Sequence, residues 1–191
     1  MFIFSWTIFK QRIWGFDKDQ VLEIANMNLN PPHFEAFRNV LLGYSNIQMV
    51  SLGSVPGLKA NLATHQQEDG SVIVCHQYSV DYGYLDVMGI KLVSGRFFLP
   101  DHPTDKDAMV VNQAYLDQMN PRHIEGSNII GVVQDFHALS LHQKIDPVKM
   151  QLRTDWRGNV LVRFGKGDVR EMMAFIEQTW KGWTPEKMAK S

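Results

Sequence analysis

The sequence predicts an α+β fold, and three observations carry that prediction. A strand–helix–strand pattern runs from Val21 to Leu52, and a strand–strand–helix pattern runs from Val148 to Trp180. Between them lie short apolar runs divided by turn residues, the pattern of a β-rich region. The stretch Gly53-Ser54-Val55-Pro56-Gly57 is dense in turn formers and marks the first internal boundary.

Composition narrows the function classes. A chain of 191 residues suits one domain, or one domain carrying an inserted subdomain. Hydrophobic residues at 45% and charged residues at 20% are ordinary for a globular protein. The formal net charge of −1 gives no global field to draw in nucleic acid or an anionic membrane. Aromatic residues do not interleave with a basic patch, so nucleic acid is not an expected partner. A single cysteine, Cys75, excludes an intramolecular disulfide and a cysteine-rich zinc site. The ten methionines are read as core filling.

The N-terminal MFIFSWTIFKQ is apolar as far as Phe9 and then meets Lys10 and Arg12. A membrane span needs about 20 apolar residues, and this run is too short. It also lacks the basic leader and small-residue cleavage site of a signal peptide. Residues 1–14 are therefore expected to be the end of a membrane helix, with an interfacial anchor or an ordinary buried segment as the alternatives.

A loop at Gly15–Asp19 leads to a strand at Val21–Ala25. Asn30-Pro31-Pro32 then breaks the chain and sets up a helix from His33 to Leu42, with proline allowed in the first turn. Phe34, Phe37, Val40 and Leu41 are expected on its buried face, and Gly43 stops it. Ile47–Leu52 reads as the next strand. Leu58–Gln67 and Ser71–Tyr78 read as strands of a hairpin turned at Glu68-Asp69-Gly70, with Val72, Val74 and His76 on one face. A short helix from Asp81 to Met88 is expected to be capped by Asp81 and stopped by Gly89. Ile90–Val93 is a strand that turns out at Ser94-Gly95-Arg96, and residues 99–107 form an exposed loop. Met109–Asn112 is a strand, with Asn112 capping a helix that runs to Met119. A polar connector, 120–126, follows. Val148–Leu152 and Val160–Phe164 are the last strands. Asp168 and Glu171 form a capping box for the last helix, which presents Val169, Met172, Met173, Ile176 and Trp180 on one face. The tail from Thr184 to Ser191 is polar and expected to fray.

The most informative stretch is IIGVVQDFHALSLHQKIDP, Ile129 to Pro147. Its β-branched run reads as a strand buried on both faces, and Gly131 within it marks a bulge or the close approach of another backbone. Asp135, His137, Ser140 and His142 invite a catalytic or metal reading. His137 and His142 are five apart on segments read as extended or loop, so they need not converge on one metal. Ser140 has no accompanying oxyanion-hole pattern. The favoured reading has Asp135 accepting hydrogen bonds from a turn and His137 packing at a strand end. Elsewhere there is no GxxxxGK[ST] phosphate loop, so the chain is not itself an ATP-driven motor, and no GxGxxG, HExxH, GxSxG or EF-hand pattern occurs.

Five stretches, taken in order, resemble one family: GFDKDQVL (Gly15–Leu22), VSLGSVPG (Val50–Gly57), VDYGYLDVMGIKLVSGRFF (Val80–Phe98), VVNQAYL (Val110–Leu116) and the Ile129–Pro147 stretch. Their order and spacing are similar to the extracytoplasmic domain of ABC-transporter permeases of the MacB/FtsX type, in a form like that of Bacteroidetes. The resemblance implies a discontinuous, porter-like αβ base formed by residues 15–57 and 146–184, with an inserted β-rich subdomain over 58–145 and a tail over 185–191. It implies a domain on the periplasmic side of the inner membrane that couples motor-driven helix motion to substrate or partner proteins. The partners implied are a separate ATP-binding subunit reached through membrane helices, a periplasmic adaptor, and a second permease copy as a homodimer. No catalytic residue, cofactor or metal ligand comes with the family, so the chain is not expected to be an enzyme. The alternatives are a stand-alone binding module derived from such a domain, and an Asp/His-dependent hydrolase or metal enzyme. The sequence departs from the family at Asn120–Asn128, where a strand-bearing segment is shortened.

Overall fold

The computed structural model describes residues 6–9, 20–29, 31–56, 61–67, 69–119, 125, 127–136, 145–153 and 157–182. Two sheets organise them. The first is antiparallel and four-stranded, with β1 (Trp6–Phe9), β2 (Val21–Asn28), β10 (Arg157–Phe164) and β3 (Ile47–Leu52) side by side in that order. The second is mixed and six-stranded, in the order β4 (Asn61–Gln66), β5 (Val72–Val80), β9 (Val148–Leu152), β7 (Met109–Asn112), β8 (Ile129–Val133) and β6 (Leu92–Gly95). In each sheet an inner strand comes from the C-terminal part of the chain.

The helices pack where sequence period demands. On α1 (Pro31–Leu42), Phe34, Phe37 and Leu41 are fully buried. Val40 is 43% exposed, against expectation. At about 100° per residue it lies about a third of a turn from Phe34, off the stripe that Phe37 and Leu41 complete. On α4 (Val169–Lys181), Met172 and Ile176 are buried, with Val169, Met173 and Trp180 half-buried beside them. Asp168 accepts from the backbone N–H groups of Arg170 and Glu171, the Asp168 half of the expected capping box. Both helices cover one face of the four-stranded sheet, meeting Leu22, Ile24, Val50, Leu52, Val160 and Val162 in one core. Phe37 meets Trp180 edge-on at 5.7 Å, and Tyr44 stacks on Phe175 at 4.7 Å.

The opposite face of that sheet meets α2 (Tyr84–Met88) and the six-stranded sheet. Val21, Val55 and Leu161 share a core with Tyr78, Val80, Tyr84, Val87, Met88, Val110 and Met150. The far face of the six-stranded sheet is closed by α3 (Gln113–Gln118), where Tyr115 and Met119 pack on Cys75, Val111 and Val132.

Several expectations are corrected. Trp6–Phe9 are extended and pair with Val21–Ile24, so these residues of the N-terminal stretch are a strand and not turns of a membrane helix; pairing satisfies the backbone groups that an edge β2 would leave open. No helix among the described residues is long and apolar enough to cross a membrane. Val148–Leu152, expected in the base with the rest of 146–184, lies instead between β5 and β7 of the six-stranded sheet, and the crossing to the other sheet falls between Leu152 and Arg157. Val72 and Val74 are 60% and 41% exposed although they share a face with buried His76. The cause is local: β9 pairs with β5 only from His76 onward, so the hairpin's outer half projects past the sheet. Strand β6 starts two residues later than expected, at Leu92, and includes Ser94 and Gly95. Within the loop 99–107, expected to be exposed, Asp105 is fully buried. Its carboxylate takes two 2.7 Å bonds from the Arg96 guanidinium and one from the Leu99 N–H, so burial of the charge is compensated.

Candidate functional site

The stretch from Ile129 to Pro147 holds structure together at both described ends. At its start, Gly131 sits where a Cβ would be 2.1 Å from the Arg96 carbonyl oxygen, the close backbone approach its position in a strand predicts. Asp135 Oδ1 accepts from Ala114 N–H at 2.9 Å, which ties the end of β8 to the first turn of α3. A carboxylate there meets the unpaired N–H groups and positive end of a helix, a structural use of its charge. His137, Ser140 and His142 lie outside the described residues. At the other end, Asp146 Oδ2 is 3.2 Å from Nε2 of the buried His76, and Asn112 links three elements. Its Oδ1 accepts from Tyr115 N–H as the cap of α3 and from Val148 N–H, while its Nδ2 donates to the Asp146 carbonyl. The His76–Asp146 pair is separated by 70 residues, so no local sequence signal could reveal it.

Among the described residues no three His, Cys, Asp or Glu side chains come together in a way that could hold a metal ion. Cys75 is buried on the far face, and burial pushes its thiol up to about 11, so it carries little of the thiolate that attacks.

The concentrated polar geometry is at the junction between the two sheets. Glu23, Ser51 and Asp81 are all buried there. Asp81 Oδ1 accepts from the Ser51 hydroxyl of β3 and, at 3.1 Å, from Gly83 N–H ahead of α2. The carboxylate thus shapes the turn into α2 rather than capping the helix, whose N-cap is Gly83. Burial raises the Asp81 carboxyl above its ordinary value, and the Ser51 hydrogen bond offsets part of that rise. Glu23 of β2 accepts from Val55 N–H at 3.2 Å and from the Asn159 amide of β10. Arg163 Nε donates to the Val87 carbonyl at 2.7 Å, and the Tyr84 hydroxyl to the Ser54 carbonyl at 2.8 Å. The Asp81 N–H donates to the Leu52 carbonyl, joining the end of β5 to the end of β3. The Ser51–Asp81, Leu52–Asp81, Arg163–Val87 and Tyr84–Ser54 bonds cross from one layer to the other, while Glu23 ties neighbouring segments of the first. The same junction holds the apolar core that Val21, Val55 and Leu161 share with Tyr84 and Val87. Sequence reasoning found the Gly53–Gly57 turn but not the carboxylates that close it, because Glu23 and Asp81 read locally as a strand residue and a helix cap.

This pair of layered sheets is an α+β fold with counterparts among solved structures. The periplasmic region of MacB from Actinobacillus actinomycetemcomitans matches 90% of this chain and 86% of its own, with TM-score 0.53 and 18% sequence identity. The extracellular domain of the noncanonic ABC-type transporter YknZ from Gram-positive bacteria matches 78% of this chain and 88% of its own at TM-score 0.48 and 14% identity. A domain assigned to a permease of Porphyromonas gingivalis matches 85% and 84% at TM-score 0.47 and 14% identity. The chain therefore has the fold of the MacB periplasmic region. No protein-family model matches the sequence, and neither does any curated protein.

Proposed function

We propose that this chain is the extracytoplasmic domain of a MacB-type ABC-transporter permease, held on the periplasmic side of the inner membrane and acting without catalysis. Its work is mechanical: movement of membrane helices, driven by a separate ATP-binding subunit, passes through the domain to a substrate or to a partner such as a periplasmic adaptor. The observation that carries this reading is the likeness in fold to the MacB periplasmic region over 90% of the chain. The junction supports it in physical terms. Two sheets that share one close-packed core and are joined by hydrogen bonds between layers resist sliding, so displacement applied to one is delivered to the other.

The first test is the coding sequence on either side of the 191 residues. The proposal expects further membrane spans in the same permease and a nucleotide-binding subunit encoded with it. Flanks without either would overturn it and leave a stand-alone binding module. The functional test places a fluorophore on Gln66→Cys, an exposed position on β4, in the intact permease in vesicles. The native Cys75 is buried and stays silent. ATP should change the label's signal, whereas an identical signal with and without hydrolysis would overturn mechanical coupling.

A further inference from the structure

Strand β4 is one outer edge of the six-stranded sheet, and among the described residues no strand lies on its outer side. The hairpin turn fixes which backbone groups face that way. Gln67 N–H donates to the Ser71 carbonyl at 2.8 Å, and hydrogen-bonded and non-hydrogen-bonded pairs alternate from there along an antiparallel ladder. With Gln66 opposite Val72, Thr64 opposite Val74 and Leu62 opposite His76, these β4 residues take the non-hydrogen-bonded positions. His76 agrees, because its N–H turns away from β4 and donates to the Pro147 carbonyl at 2.8 Å. The N–H and C=O groups of Leu62, Thr64 and Gln66 therefore point out from the edge of the sheet, and all three residues are exposed.

Such an edge is a template for another strand unless charge, proline or a bulge blocks it. The opposite edge of the same sheet is blocked: β6 has four residues, its register shifts between Leu92 and Ser94, and Lys91 and Arg96 flank it. β4 has none of these devices. Residues 61–67 include no Lys, Arg, Asp, Glu or Pro, and the pairing of β4 with β5 runs without a register shift. Exposed Val72 and Val74 lie on the same face as Leu62, which is itself 61% exposed. The strand complements a copy of itself turned antiparallel. The register that uses all the outward groups centres on Thr64, which meets Thr64 of the second copy while Leu62 meets Gln66. Threonines directly opposite each other are a favourable cross-strand pair. Charge selects the direction: Lys59 precedes the strand in sequence and Glu68 and Asp69 follow it, so antiparallel copies bring the basic end of one towards the acidic end of the other. Parallel copies would bring like ends together. We infer that two copies of this chain pair through β4, antiparallel about a twofold axis at Thr64, and so join their six-stranded sheets into one. The inference rests on this edge and not on the transporter reading, so either can fail without the other.

The test is analytical ultracentrifugation of the 191-residue chain from about 10 μM to 1 mM, because a single-strand interface is small and weak. The wild type should pass from monomer to dimer across that range, and a mass that stays monomeric would overturn the inference. Thr64→Lys and Thr64→Glu each set like charges face to face on the axis, and each should raise the dissociation constant about tenfold. An equal mixture of the two variants should recover the dimer, since opposite charges then meet, and that recovery also shows that both variants fold. A dimer that the single variants leave intact, or a mixture no tighter than its components, would overturn the inference. Thr64→Cys reads the register. Hydrogen-bonded antiparallel neighbours stand about 5.5 Å apart at Cα, within disulfide range, so mild oxidation should link two copies there. Gln66→Cys, which the register sets away from its counterpart, should not link, and the native Cys75 is buried. Equal cross-linking at the two positions would overturn the pairing.

Discussion

Gly131 and Gly95 pass so closely that neither position accepts a side chain. A Cβ on Gly131 would stand 2.1 Å from the Arg96 carbonyl oxygen, and one on Gly95, at φ 71°, would stand 2.3 Å from the Ile130 carbonyl oxygen. The obstacle is backbone in both cases, so relief requires the β6–β8 pairing to open. Gly131→Ala should therefore cost about 2–3 kcal/mol, read as a lower urea midpoint at unchanged slope. A loss below about 0.5 kcal/mol would mean the strands can part without cost. Asp105 carries a pH signature. The hydrogen bond from Arg96 holds its carboxyl below the ordinary carboxylate value, so the folded state binds the proton less readily than the unfolded chain. Its stabilisation is full above the unfolded value near 3.9 and is lost as pH falls through the depressed folded value. Asp81 has the opposite sign: its raised carboxyl makes stability fall as pH rises from the unfolded value through the folded one. Asp105→Asn should flatten the acid limb of the stability profile, and Asp81→Asn should remove a loss at higher pH. Profiles superimposable on the wild type would reject both assignments. Cys75, its thiol raised to about 11, should resist a disulfide reagent in the native chain and react at once in denaturant.

At the scale of elements, helix periodicity predicts energetics as well as position. Phe37→Ala should cost about 3–5 kcal/mol, since it empties a fully buried site beneath Trp180. Val40→Lys, on the same helix, should stay within about 0.5 kcal/mol because the site is 43% exposed. Chemical denaturation of the pair decides between the observed face and the wider one that periodicity first suggests. These elements show how far the sequence is legible. Caps are local chemistry, and Asn112, Asp168 and Gly89 all act where their neighbours in sequence place them. Burial along β5 is not legible in that way, because alternation names the faces but not where a neighbouring strand stops. Val72 and Val74 look like core from sequence and are exposed because β9 begins only opposite His76. The Ile129–Pro147 stretch shows the same divide: Gly131 announces its close contact, while Asp146 reveals no sign of the histidine it meets 70 residues upstream.

At the scale of the whole molecule, the two sheets are not independent bodies. Leu161 on β10 packs in the core with Tyr84 and Val87 of α2, so Leu161→Ala should weaken both layers together. Hydrogen exchange gives the measurement: amides of β3 and β7 should lose protection with the same free energy. Loss confined to β3 would show two separate cooperative units. The sequence alone places β9 with the wrong layer for a physical reason. Val148–Leu152 alternates as a strand of either sheet would, and its partners, Val110 and His76 among them, lie dozens of residues away. Strand choice is a long-range property, whereas cap and face are short-range ones.

The placement of β9 between β5 and β7, and of β10 between β2 and β3, also governs how the chain matures during synthesis. A ribosome delivers β1 to β8 before either of these two strands exists, and neither sheet can close until Val148–Phe164 has emerged. Until then β2 and β3 present open edges with no shared neighbour, as do β5 and β7, so the nascent domain is exposed to misassembly for most of its synthesis. A chain ending before Val148 should stay unfolded despite keeping nearly every core residue of α1, α2 and α3, and its folding should be finished by the last quarter of the sequence rather than begun by the first.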